Sequence, residues 1–184
     1  KAADGTYECP KEYSPEHGPA SENATAHSQQ LVWDLFNNTL HAIAELGINE
    51  DATFLNDLNN KFKKLDTGLA IENMNGKSLL REWKYTSQAT VPTYNSHRHM
   101  SHLMGLYPGN QIGREIDANI YEAALNSLNT RGNAGTGWSM GWKVNLHARA
   151  RNGNVCQRLL RTALHFQDNI GNSEGGGVYE NLWD

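Results

Sequence analysis

The sequence predicts an all-α fold of helical hairpins packed side by side. Three observations predict it. Apolar residues recur at helical spacing through most long segments, glycine and proline stops divide those segments, and no segment alternates convincingly as a strand. The connecting loops are of two alternating kinds, short and long, which suits an α/α barrel or a solenoid. The absence of a residue-level internal repeat disfavours a regular repeat array.

Residues 1–20 hold three prolines and two glycines and read as a loop. Ser21 then caps the strongest helix, with Leu31, Val32, Leu35, Phe36, Leu40, Ile43 and Leu46 as a wide apolar stripe and Gly47 as the stop. A second helix is expected from Ala52 to Leu65, making an αα-hairpin. Residues 66–98 are mixed, with a short helical turn expected at Ser78–Trp83 and a long polar loop at Lys84–Asn95. His99–Tyr107 reads as a short helical segment closed by Pro108-Gly109. Asp117 caps a helix to Leu128, and Arg131–Gly137 is a glycine-rich turn. Ser139–Arg151 returns to helix, and Asn154–Ile170 is the last helix, with Val155, Leu159, Ala163, Phe166 and Ile170 in phase. Glu174–Asp184 is a glycine-rich, aromatic tail.

The hydrophobic share, 38%, suits a piece cut from a larger fold or a protein with a broad polar groove. A net charge of −4 with no basic block argues against nucleic acid as a partner, because phosphate contacts dominate that affinity. No apolar run approaches the ~18 residues of a membrane span. Lys1 through Gly5 form neither a signal peptide nor a natural start, so residues 1–184 are expected to be a fragment cut at both ends. Cys9 and Cys156 make neither a disulfide framework nor a zinc site, and Cys156 is expected to be a small buried residue.

Three motifs carry candidate chemistry. In Ser14-Pro15-Glu16-His17-Gly18-Pro19 a carboxyl is framed by prolines and a glycine. Such a frame suits a general acid, which needs fixed placement in a partly desolvated pocket; a solvated loop glutamate is the alternative. His97-Arg98-His99-Met100-Ser101-His102 invites a metal reading, but no neighbouring cysteine or carboxylate completes a zinc site. A sugar-binding cluster fits as well, since His and Arg donate to hydroxyls, and some of the histidines could be purely structural. Gly135-Thr136-Gly137-Trp138-Ser139-Met140-Gly141-Trp142 puts two indoles four residues apart, able to stack on sugar rings, although at least one is expected to be core packing. It lacks the Lys-Ser/Thr ending of a phosphate loop. Glu82-Trp83 reads as either groove lining or an ordinary surface pair.

These motifs resemble glycoside hydrolase family 95. Beside them stand Leu31-Val32-Trp33-Asp34-Leu35-Phe36, Leu80-Arg81-Glu82-Trp83, Gly105-Leu106-Tyr107-Pro108-Gly109, Arg131-Gly132 and Gly176 through Leu182, so the likeness covers essentially the whole chain. The resemblance implies part of an (α/α)6 barrel and inverting hydrolysis of terminal, typically 1,2-linked α-L-fucosides. α-L-Galactosides, or sugar binding without hydrolysis, are alternatives. It assigns Glu16 as general acid and makes His97, Arg98, His99, Trp138 and Glu82 substrate-binding candidates, with no cofactor and no metal. The implied partners are a glycan substrate and the rest of the parent barrel, with no nucleic acid and no membrane; a secreted or periplasmic home is implied by family alone. The family's base side, an asparagine activated by an aspartate, falls outside residues 1–184, so the isolated fragment is expected to be inactive. The chain departs from the family at His27-Ser28-Gln29-Gln30 and at Met74–Ser78.

Overall fold

The computed structural model describes residues 1–166 and 177–180. The chain is mainly helical: α1 (Ala26–Leu46), α2 (Ala52–Lys63), α3 (Ala118–Thr130), α4 (Gly137–Arg149) and α5 (Gly153–Ala163). Between α2 and α3 lies a two-stranded hairpin, β1 (Ile71–Met74) and β2 (Lys77–Leu80), which corrects the expectation of no strand and of a helical turn at Ser78–Trp83. Its cause is local. Asn75 and Gly76 both have positive φ, 52° and 76°, as a two-residue hairpin turn requires.

Three of the five helix starts follow from side-chain caps. Asp117 accepts from Asn119 N and Ile120 N, Asp51 accepts from Thr53 N, and Asn152 accepts from Val155 N. Gly47 closes α1 in a left-handed conformation. Helix α1 starts four residues later than expected, with Thr25 rather than Ser21 at its N-cap position. Ser21 does not cap it: Glu12 and Glu22 exchange backbone hydrogen bonds and Ala24 N donates to Cys9 O, which ties residues 22–24 to the N-terminal loop. The last helix stops at Ala163. Phe166 pairs instead with Val178, while residues 167–170 and much of the tail lie outside the described residues. The expected helical segment at His99–Tyr107 is a single 3-10 turn, Ser101–Leu103, among other turns. Cys156 is half-buried rather than buried.

The core forms where α3 crosses β2. Leu80, Met100, Leu103, Leu106, Leu128 and Leu146 pack as one cluster, and Leu79, Trp83, Val91 and Tyr94 as a second. Successive residues Leu79 and Leu80 point to opposite sheet faces and serve different clusters. Ser127 locks α3 to the strand by accepting from Leu80 N at 2.9 Å. Helices α1 and α2 meet through Trp33, Phe36 and Phe62. The buried residues of α1 are Ala26, Gln29 and Gln30, whereas Leu31, Leu35 and Leu46 of the apolar stripe are exposed.

Candidate active site

Glu82, two residues after the end of β2, is the centre of the site's floor. Its side chain is fully enclosed. Oε1 accepts from Ser14 Oγ at 2.6 Å and lies 3.0 Å from His17 Nε2. Oε2 accepts from Arg131 Nη2 at 2.5 Å and lies 3.3 Å from His102 Nδ1, off the hydrogen-bonding direction. Burial pushes the Glu82 carboxyl up, but His102, His17 and the Arg131 charge together outweigh it and hold it well below the usual range. Arg131, placed at the end of α3, also donates to the carbonyls of His97 and His99 and lies over the Tyr94 ring at 4.4 Å.

Above this floor the predicted motifs converge. Glu16 makes an ion pair with Arg98 Nη2 and lies 3.3 Å from His99 Nε2, joining segments 82 residues apart. Ser101 Oγ donates to Pro15 O, and Ser139 Oγ, in the first turn of α4, donates to Arg98 O at 2.6 Å. Imidazoles form a stack: His17 on His97 at 3.8 Å with rings nearly parallel, His97 on His99 at 5.3 Å, and His99 beside the Trp138 indole at 4.7 Å. His97 Nδ1 accepts from His99 N, and burial, followed by the nearby His17 and Arg131, lowers the His97 ring to about 4. Burial also lowers His99, against the opposing pull of Glu16.

The sequence-predicted residues thus fall in two layers. Glu16, Arg98, His97, His99 and Trp138 share an open shelf, with Trp138 49% exposed and half of the Glu16 side chain accessible. Glu82 lies beneath them with its carboxylate among protein groups, and Trp83 is buried beside it, which corrects the reading of a surface pair. Trp142 is the packing indole of its motif: it packs against the main core cluster and donates to Tyr107 O at 3.0 Å. The three motif histidines go to different partners, and among the described residues no histidine, cysteine and carboxylate group is arranged to hold a metal ion. A cavity of about 300 Å³ lined by residues including Leu65, Gly68, Leu69 and Trp83 touches none of the shelf residues.

Sequence reasoning gave no role to Ser14, His17, Arg131 or Ser139. The available signal was weak: an arginine at a helix end before a glycine, and a serine and a histidine flanking Pro15-Glu16.

A helical scaffold carrying an acid, an arginine, imidazoles and an exposed indole on one shelf is the equipment of a carbohydrate-active protein. The chain belongs to the glycosyl hydrolase family 95 catalytic domain, whose family model matches residues 1–184. It is 33% identical over 168 residues to a probable alpha-fucosidase A of Aspergillus oryzae (strain ATCC 42149 / RIB 40), covering 87% of this chain and 22% of that protein. It is 35% identical over 139 residues to a probable alpha-fucosidase A of Aspergillus niger (strain ATCC MYA-4892 / CBS 513.88 / FGSC A1513), covering 71% of this chain and 17% of that protein. It is 39% identical over 89 residues to alpha-L-fucosidase 2 of Arabidopsis thaliana, covering 47% and 10%. The chain spans less than a quarter of the length of each of these relatives.

Proposed function

We propose that this chain is the acid side of an inverting, exo-acting glycoside hydrolase that releases terminal α-L-fucose, 1,2-linked, from glycans. The observation that carries the reading is the meeting of Glu16 with Arg98 and His99 beside the exposed Trp138. Glu16 donates a proton to the glycosidic oxygen as the bond to the sugar carbon breaks. Arg98 and His99 hold sugar hydroxyls, and Trp138 offers its face to the ring. Water attacks from the opposite side and gives its proton to a base. That base belongs to the remainder of an (α/α)6 barrel, so residues 1–184 alone are silent. The same remainder covers the shelf and withdraws Glu16 from water.

The test is fucose release from a 1,2-fucosylated oligosaccharide by the intact parent protein and by its Glu16→Gln form. The expected loss is roughly 10²–10⁴-fold, the usual contribution of a general acid. Full rate in the variant on this unactivated substrate would sink the assignment.

A further inference from the structure

The two segments that meet at Glu16 share one anchor. Ser14 and His17, two residues before Glu16 and one after, both bind Glu82 Oε1. Arg131 binds Glu82 Oε2 and also the carbonyls of His97 and His99, the residues on either side of Arg98. The anchor is itself fixed: Glu82 N donates to Gln88 Oε1 at 3.1 Å, and Glu82 O accepts from Ala26 N at the start of α1. A buried carboxylate is tolerated only with a counter-charge and its lone pairs filled, and Arg131 with Ser14 and His17 meets both conditions.

We propose that Glu82 is a positioning residue for the acid, holding the Glu16 loop through Ser14 and His17 and the Arg98–His99 segment through Arg131, so that one buried carboxylate sets the distance between them. This rests on the reading of Glu16 as the acid. Glu82 reaches substrate only through other side chains. Replacing it by glutamine turns one of its two oxygens into a donor. Arg131 has no acceptor, so the new amide nitrogen faces Ser14 and His17 and the acid loop loses its charged hold first.

The experiment compares two substrates in the intact parent protein: a 1,2-fucosylated oligosaccharide, whose leaving group needs a proton, and a nitrophenyl α-L-fucoside, whose leaving group needs much less help. Glu82→Gln is expected to lose about tenfold or more on the oligosaccharide, a fraction of what a general acid contributes, and several-fold less on the aryl substrate. Ser14→Ala, which removes one of the two loop contacts and keeps His17, is expected to show the same bias at smaller size. It decides the matter alone if Glu82→Gln does not fold. Equal losses on the two substrates, or no loss in either variant, overturn the proposal. Glu16→Gln run beside them separates the failures: if that variant keeps full rate on the oligosaccharide, the acid assignment has failed rather than the positioning.

Discussion

Gly18→Ala tests how closely the acid loop is seated on Trp83. The Gly18 backbone has φ +80°, a conformation that costs an L-residue ~1–2 kcal/mol. An added methyl would lie 2.3 Å from Trp83 Cζ2 and 2.7 Å from Cε2. Carbon atoms in contact prefer ~3.5–4.0 Å, so more than an ångström must be found. The indole has little room to give it: Trp83 is 1% exposed and packs edge-on against His17 at 5.0 Å and Tyr94 at 6.4 Å. Overpacking of this kind costs about 1–3 kcal/mol, which brings the sum to ~3 kcal/mol. Gly47→Ala is the control, because Gly47 has φ +61° but nothing within 4 Å of an added methyl, and so carries the backbone part alone. The difference between the variants should be ~2 kcal/mol, read as a lower Tm for Gly18→Ala than for Gly47→Ala. Thermal unfolding of the intact protein reads it, and fucoside hydrolysis should fall too, since Glu16 is two residues away. Equal Tm shifts in the two variants would refute the reasoning, because Trp83 would then not be the wall behind the loop.

Stability should also fall as pH drops from ~6.5 toward 4. Folded His97 stays neutral down to about 4, so across that window the unfolded chain takes up a proton that the folded one refuses. His99 and His102 act in the same direction, and the depressed Glu82 carboxyl extends the loss below the ordinary carboxylate range. Urea unfolding against pH should show a flatter slope in His97→Asn, and an unchanged slope would rule the assignment out. At α3, Asp117→Ala removes the acceptor of two first-turn amides, at 2.9 and 3.1 Å, for a loss of about 1 kcal/mol. Faster hydrogen exchange at Asn119 and Ile120 is the expected signature, and unaltered exchange there counts against the cap.

The start of α3 and the end of α1 were legible in the sequence because capping is local chemistry: Asp117 and Gly47 act through neighbours within a few residues. The β-hairpin was hidden although Asn75-Gly76 announced its turn. Leu79 and Leu80 are both buried, on opposite faces, so the strand carries no alternation to read. Glu82 was legible as a motif residue but not as a buried one. Acidic side chains are seldom enclosed unless paired, and its partners lie 49 residues ahead in Arg131 and 65 behind in His17. No window of sequence contains that pairing.

Helix α1 shows how the same limit acts on a whole element. The sequence shows a wide apolar stripe on it, and Gln29 and Gln30 only as a departure from the family. The geometry reverses their roles. Gln29 accepts from Cys9 N and donates to Asp66 O, while Gln30 donates to His102 O and accepts from Gly105 N. The inward face of α1 therefore holds loops through hydrogen bonds to their backbones, which apolar side chains cannot supply. His102 lies on the segment that carries Arg98, so this polar face also helps to seat the shelf. The stripe through Leu31, Leu35 and Leu46 is left outward, with apolar area that favours burial at roughly 25 cal/mol per Å². In the proposed (α/α)6 barrel one surface of this helix grips the loops of the site and the other packs against the next hairpin. Its hydrogen-bonding side faces its own loops while Leu31, Leu35 and Leu46 face outward, so the proposal that further hairpins pack here rests on the outward side.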